Sequence, residues 1–176
     1  MPLLRALDVP VHVVVPEPNT WREIVAAVAG RPERQIAVQE YGRPNQEMNA
    51  ALEQLGARVT PIAIYRWELP DDREPLREAA RRLAARQFDV VIFTTSIQLD
   101  HLLAVARELG IEGDVLGALR DDVAVASVGP VMTATLESYG LAADIIPNHP
   151  KMGPLVKAGS ESAVAVLYAK RTRRSF

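Results

Sequence analysis

Cysteine is missing from all 176 residues, which excludes disulfide frameworks, thiolate metal sites and cysteine nucleophiles. Neither sign of charge dominates, since 20 Lys and Arg stand against 22 Asp and Glu for a net charge of −2. That balance argues against binding nucleic acid through a broad basic surface. No run approaches the ~18–20 consecutive apolar residues of a membrane span. The opening MPLLRALDVP, interrupted by Asp8 and Pro10, does not read as a signal peptide. Also missing are Gly-x-Gly-x-x-Gly, a Walker loop and Gly-x-Ser-x-Gly, so dinucleotides, nucleoside triphosphates and a hydrolase elbow lack support. His12, His101 and His149 are scattered, and Asp100 beside His101 does not share a helix face with it, so no metal cluster is expected. What remains is a soluble, cytoplasmic globular protein of one ordinary domain or parts of two small ones.

Three kinds of segment alternate along the chain. The first is short, apolar and β-branched: VHVVV (11–15), QIAVQ (35–39), VTPIAIY (59–65), FDVVIFTT (88–95), VAVASV (123–128) and ADII (143–146). Consecutive apolar residues such as Val90, Val91, Ile92 and Phe93 need cover on both faces, as in a parallel sheet flanked by helices. The second kind is helical. Thr20 followed by Glu23 forms a capping box before Ile24, Val25 and Val28, and Asn45 caps a stripe of Met48, Leu52 and Leu55 that Gly56 stops. Pro75 opens a helix carrying Leu76, Ala79, Ala80 and Leu83, with Arg81 and Arg82 outward. Leu99, Leu102, Leu103, Ala106 and Leu109 make one stripe ended by Gly110, and Pro130 opens a short helix ended by Gly140. The third kind joins strand ends to helix starts: PEPNT, EYGRPN, TTSIQ, GPVMT and PNHPKMG. Strand, loop and helix repeating in this way is an α/β pattern, and its ligand-binding positions are the loops at the carboxyl ends of the strands.

A faint internal repeat relates LLRALDVPVHVVVPEPNTWREIVAAV to TLESYGLAADIIPNHPKMGPLVKAG, suggesting two related lobes with a hinge near WELPDDR. Met1 opens inside what reads as the end of a helix, and the first lobe has three strand candidates where a mean sheet has ~5–6. Either a partner supplies the rest or the chain lacks the front of its fold.

Several loops can carry chemistry, and each has a plainer reading. In SVGPVMT the amides of Val131, Met132 and Thr133 can receive an anion at a helix N-terminus, or Gly129 merely permits an ordinary βα turn. Thr95 or Ser96 can meet a ligand, or serve as the helix cap. Lys151 sits where helix dipoles disfavour a cation, which suggests a ligand role, or it is a solvated surface lysine. Tyr65 ends a strand and Tyr41 follows one. A phenol there can donate a proton in a cleft, or rest half-buried with its hydroxyl wet. KRTRR (170–174) reads most simply as a frayed, solvated helix end, with a nucleic-acid contact as the lesser alternative.

Taken together and in order, QEYGRPN (39–45), IAIYRWELP (62–70), DVVIFTTSIQLDHLL (89–103), ASVGPVMTATLESYGL (126–141) and PNHPKMGPLV (147–156) resemble the uroporphyrinogen-III synthase family. The resemblance implies two flavodoxin-like (Rossmann-like) α/β lobes with parallel sheets, joined by a two-strand linker, each lobe incomplete in this chain. On that map residues 1–65 are the back half of one lobe, 66–70 the linker, 71–158 the returning half of the other lobe, and 159–176 a helical tail. The family's N-terminal portion is expected before Met1.

The implied activity is that of a hydro-lyase of tetrapyrrole biosynthesis. It closes hydroxymethylbilane to uroporphyrinogen III with inversion of the last ring and loss of water, without metal or organic cofactor. A non-catalytic module binding a small anionic or tetrapyrrole ligand is the alternative. Tyr65 matches the family's linker tyrosine, the usual proposal for its proton donor, Thr95 the hydroxyl residue of a strand-end loop, and Gly129 with Thr133 the Gly-Pro-hydroxyl loop. Many members have Thr-Thr after Gly-Pro where this chain has Val131 and Met132, so only backbone contacts carry over there. The substrate-binding residues expected together are Gly42, Thr95, Ser96, Gly129, Val131, Met132, Thr133 and Lys151. The expected partner is the small-molecule substrate, with neither nucleic acid nor membrane. The family is monomeric, and unpaired sheet edges here predict association or poor solubility.

Overall fold

The computed structural model describes residues 4, 6–42 and 44–173. Expectations placed on Met1, on Arg43 of the EYGRPN loop and on Arg174 of the basic end lie outside them. The chain divides into two compact units, one ending at Glu68 and the other beginning at Leu69.

In the first unit α1 (Trp21–Val28), β1 (Gln35–Glu40), α2 (Gln46–Gln54) and β2 (Arg58–Ala63) follow in order. Thr20 begins α1 through the capping box read from the sequence. Its backbone N–H donates to Glu23 Oε2 at 2.8 Å, and its hydroxyl oxygen accepts from Arg22 N at 3.3 Å. The Thr20 hydroxyl, which donates to Glu23 Oε2, and then the backbone N–H lower the Glu23 carboxyl below its ordinary range, so this contribution is present above the unfolded carboxylate pKa and fades as pH falls through the folded one. Thr20→Ala is expected to cost about 1 kcal/mol, measured as a shift in denaturant midpoint at unchanged m-value. Asn45 caps α2 by accepting from Met48 N at 3.0 Å. Gly56, at φ +82°, closes the helix as its backbone N–H donates to Glu53 O and that of Ala57 to Leu52 O, the left-handed stop that favours glycine.

β1 and β2 pair in parallel from Gln35↔Arg58 to Glu40↔Ala63. Val38, Met48 and Leu52 form the core, with Trp21, Val25, Val28, Ile36, Ala57 and Val59 packed against it. The segment VHVVV, expected to be a strand, is not one: residues 11–15 run without a ladder, and Val13 and Val14 are exposed. A β-branched run needs a neighbouring strand to complete its backbone hydrogen bonds, and among the described residues none pairs with it.

The second unit holds α3 (Glu74–Ala84), β3 (Val90–Phe93), α4 (Ser96–Glu108), α5 (Glu112–Asp121), β4 (Ala124–Ser127), α6 (Pro130–Ser138) and α7 (Met152–Arg173). β3 and β4 pair in parallel from Val90↔Ala124 to Phe93↔Ser127. The expected strand at ADII reduces to a single bridge between Ala126 and Ile145. Alternation along β4 sorts two cores. Val123 and Val125 join Leu83, Phe93, Leu99, Leu103 and Leu136 on one face, and Ala124 and Ala126 meet Leu155 and Ile145 on the other. Both faces are therefore covered, as the consecutive apolar residues of this sheet require.

Two features went unread in the sequence. α5 buries Val115, Ala118 and Leu119 at helical spacing, but Gly110, Gly113 and Gly117 weaken its local helix signal. α7 runs unbroken through residue 159, where a separate tail was expected to begin. Within its basic end, Lys170 is not solvated as expected. Lys170 is largely buried, and its ammonium meets Asp144 Oδ2 at 2.5 Å while donating to Leu119 O at 2.9 Å and Val123 O at 2.8 Å.

Candidate functional site

In the first unit the register fixes what stands at the strand ends. Glu40 lies opposite Ala63, so Tyr41 and Gly42 leave β1 alongside the stretch that carries Ile64 and Tyr65 beyond β2. Tyr65 packs edge-to-face with Tyr41, centroids 5.7 Å apart at 77°, and with Trp67 at 5.6 Å and 82°. Gly42 has φ +76°, and a Cβ built there would fall 1.9 Å from Trp67 Cδ1. The absent side chain is therefore what lets the indole lie against the backbone. Partial burial, then the neighbouring Tyr41, raises the Tyr65 phenol above its ordinary pKa, so at neutral pH it retains its proton. Gly42→Ala is expected to displace Trp67 and shift its emission to the red in a Trp21→Phe background; an unchanged spectrum would contradict the contact.

β1 also ends in a buried carboxylate that sequence reasoning passed over. Glu40 is buried, and its Oε1 has no hydrogen-bond partner. The available signal was its phase: Glu40 continues the inward row of Ile36 and Val38 at the period of two that a strand imposes.

In the second unit Thr95 caps α4 with extended backbone. Gln98 Oε1 reaches back to accept from Thr94 N at 2.8 Å and Thr95 N at 3.2 Å. Ser96 begins the helix and is also engaged. Gly129 caps α6 without a side-chain bond, and helix geometry leaves the amides of Val131 and Met132 without intrahelical acceptors. The Thr133 amide, expected to be available as well, is not: it donates to Gly129 O at 3.0 Å as the first closed turn of the helix. Met132 fills the core and offers only its amide, whereas the Val131 side chain is exposed. Buried Ser127 donates to Gly129 O at 3.1 Å, and its Oγ lies 2.9 Å from Thr133 Oγ1. With the single Ser127 proton so used, Thr133 donates to Ser127. Pro150 packs on Gly129, where an added Cβ would come within 2.9 Å of the ring. That contact brings the loop ending in exposed Lys151 beside the Gly-Pro turn.

The expected residues thus fall into two groups, Gly42 and Tyr65 in the first unit, and Thr95, Ser96, Gly129, Val131, Met132, Thr133 and Lys151 in the second. Residues 2–157 match the family described as uroporphyrinogen-III synthase HemD. The chain belongs to the uroporphyrinogen-III synthase family. A crystal structure of uroporphyrinogen III synthase from the extremely thermophilic bacterium Thermus thermophilus aligns with 92% of this chain and 60% of its own length, at 26% identity and a TM-score of 0.53. A mutant form of that enzyme, at 22% identity and a TM-score of 0.63 over 61% of its length, supports the α/β fold. Among curated relatives, the uncharacterised protein YjjA of Bacillus subtilis is 30% identical over 121 residues, 69% of this chain and 44% of YjjA. A Methanothermobacter thermautotrophicus protein, provisionally named a uroporphyrinogen-III synthase, is 28% identical over 132 residues, 74% of this chain and 51% of that protein. The chain thus spans about half the length of the curated relatives it matches. For this family member the two parallel two-stranded sheets are the shared fold. Among the described residues no helix is long and apolar enough to cross a membrane.

Proposed function

We propose that this chain acts as a uroporphyrinogen-III synthase, a hydro-lyase that closes hydroxymethylbilane to uroporphyrinogen III with inversion of the last pyrrole ring. The observation that carries this reading is the family match over residues 2–157, and the strand-end geometry agrees with it. The bilane loses its terminal hydroxyl as the C–O bond breaks, and a proton turns the departing group into water. Tyr65, which holds its phenolic proton at neutral pH, donates that proton. The last ring then attacks through its substituted carbon, giving a spiro intermediate. The bond from that centre to the bridge carbon of the neighbouring ring then breaks, the freed bridge carbon bonds to the unsubstituted α-carbon of the turned ring, and the proton that this carbon loses as the pyrrole regains aromaticity returns to the Tyr65 oxygen.

Because the bilane closes unaided to the uninverted isomer, catalysis is mainly control of its folding. Its carboxylates are received by the Val131 and Met132 amides at the positive end of α6, with Lys151, Thr95 and Ser96 as further contacts. The intact family works on this small molecule as a monomer, and the unpaired sheet edges of this chain favour association. Mixing the protein with freshly generated hydroxymethylbilane, oxidising the products and separating the uroporphyrin isomers tests the proposal. Isomer III above the protein-free blank is expected, and isomer I alone would overturn it.

A further inference from the structure

The aromatic cluster of the first unit is larger than proton donation requires. Three rings meet edge-to-face where the strands end, and Tyr41, Tyr65 and Trp67 remain 76%, 36% and 42% exposed. Exposing three contiguous large rings costs solubility and marks a binding surface more often than an accident of folding. The arrangement is also built. Trp67 lies where any side chain at residue 42 would collide with it, and Gly42 takes up the left-handed conformation that leaves the space open. The three rings remain partly exposed, and exposed aromatic rings take flat electron-rich rings by offset stacking or by receiving N–H groups.

From this geometry we infer that Tyr41, Tyr65 and Trp67 form a ring-contact subsite that holds a pyrrole ring of the tetrapyrrole against the Tyr65 hydroxyl. The inference rests on the synthase reading and deepens it. Trp67 and Tyr41 are positioning and binding residues, and Tyr65 alone moves a proton. The occupant is a pyrrole ring because it is flat, electron-rich and carries an N–H donor, and because strand carboxyl ends are where parallel sheets present their ligands.

The test uses uroporphyrin III, the stable oxidised product, titrated into the Trp21→Phe protein so that Trp67 is the remaining tryptophan. Saturable quenching of Trp67 is expected, since the porphyrin absorbs where tryptophan emits. By the porphyrin's own absorption shift, Trp67→Leu should weaken binding about tenfold and Trp67→Phe less than threefold, because a ring is kept. With hydroxymethylbilane, Trp67→Leu should raise KM with kcat falling less than twofold. Equal affinity in Trp67→Leu and wild type would overturn the inference, as would emission that follows protein concentration instead of porphyrin, which would assign the rings to a second copy of the chain. If turnover yields isomer I alone while Trp67-dependent binding persists, the synthase reading fails and the ring subsite stands.

Discussion

Tyr65→Phe is expected to lower turnover of hydroxymethylbilane about a hundredfold, the lower end of what a positioned general acid contributes, while binding of uroporphyrin III changes less than twofold. The lower end is appropriate because the phenol is a weak acid made weaker. Partial burial and the Tyr41 hydroxyl both raise it, which keeps the proton in place but reduces the drive to give it up. The departing hydroxyl needs modest help, since the substrate closes without an enzyme. The ring is retained in phenylalanine, so the edge-to-face contacts to Tyr41 and Trp67 survive and the variant isolates the hydroxyl. Steady-state rates with isomer analysis check this. A kcat within twofold of wild type would remove Tyr65 as proton donor and leave only its place in the ring cluster.

Lys170→Met is expected to destabilise the second unit by about 3–5 kcal/mol, the cost of breaking a buried pair by removing one partner. An ammonium has three protons, and here they meet Asp144 and the carbonyls of Leu119 and Val123. Asp144 accepts in addition from the Val125 amide at 2.8 Å. The two side chains are only 12% and 14% exposed. Leu119 belongs to the last turn of α5, where the helix dipole favours a cation, and Val123 enters β4. One side chain therefore ties the end of α7 to both elements. Methionine matches much of the stem but leaves two carbonyls and a carboxylate without their donor. Thermal and denaturant unfolding measure the loss. Adding Asp144→Asn should recover at least about 1 kcal/mol, because the stranded charge is removed. A single-variant loss under about 1 kcal/mol would show that the pair is no anchor.

Local chemistry carried much of this fold into the sequence. Thr20 and Asn45 announce their helices because side-chain oxygens at those positions must accept orphan amides, and Gly56, Gly110 and Gly140 end theirs with positive φ. Other features depend on residues far apart in the chain. A β-branched run such as VHVVV looks like a strand whether or not another strand pairs with it. Lys170 reads as solvated because its partner Asp144 stands far back in the sequence, and α5 is obscured by glycines whose cost is offset by burying Val115, Ala118 and Leu119. The site divides in the same way. Tyr65 and the Gly-Pro turn stand out as motifs, but that Thr133 spends its amide on Gly129 and its hydroxyl on Ser127 follows from the turn of α6. The lodging of Trp67 on Gly42 joins residues from two different strand ends, and only the parallel register of β1 and β2 brings those ends together.

The most direct measurement is the fraction of uroporphyrin isomer III formed from a fixed amount of fresh hydroxymethylbilane as the concentration of this chain is raised. Enzymatic closure competes with spontaneous closure, so the fraction should climb with protein toward complete conversion to isomer III. A fraction that stays at the protein-free value at every concentration would contradict the assignment of synthase activity to this chain.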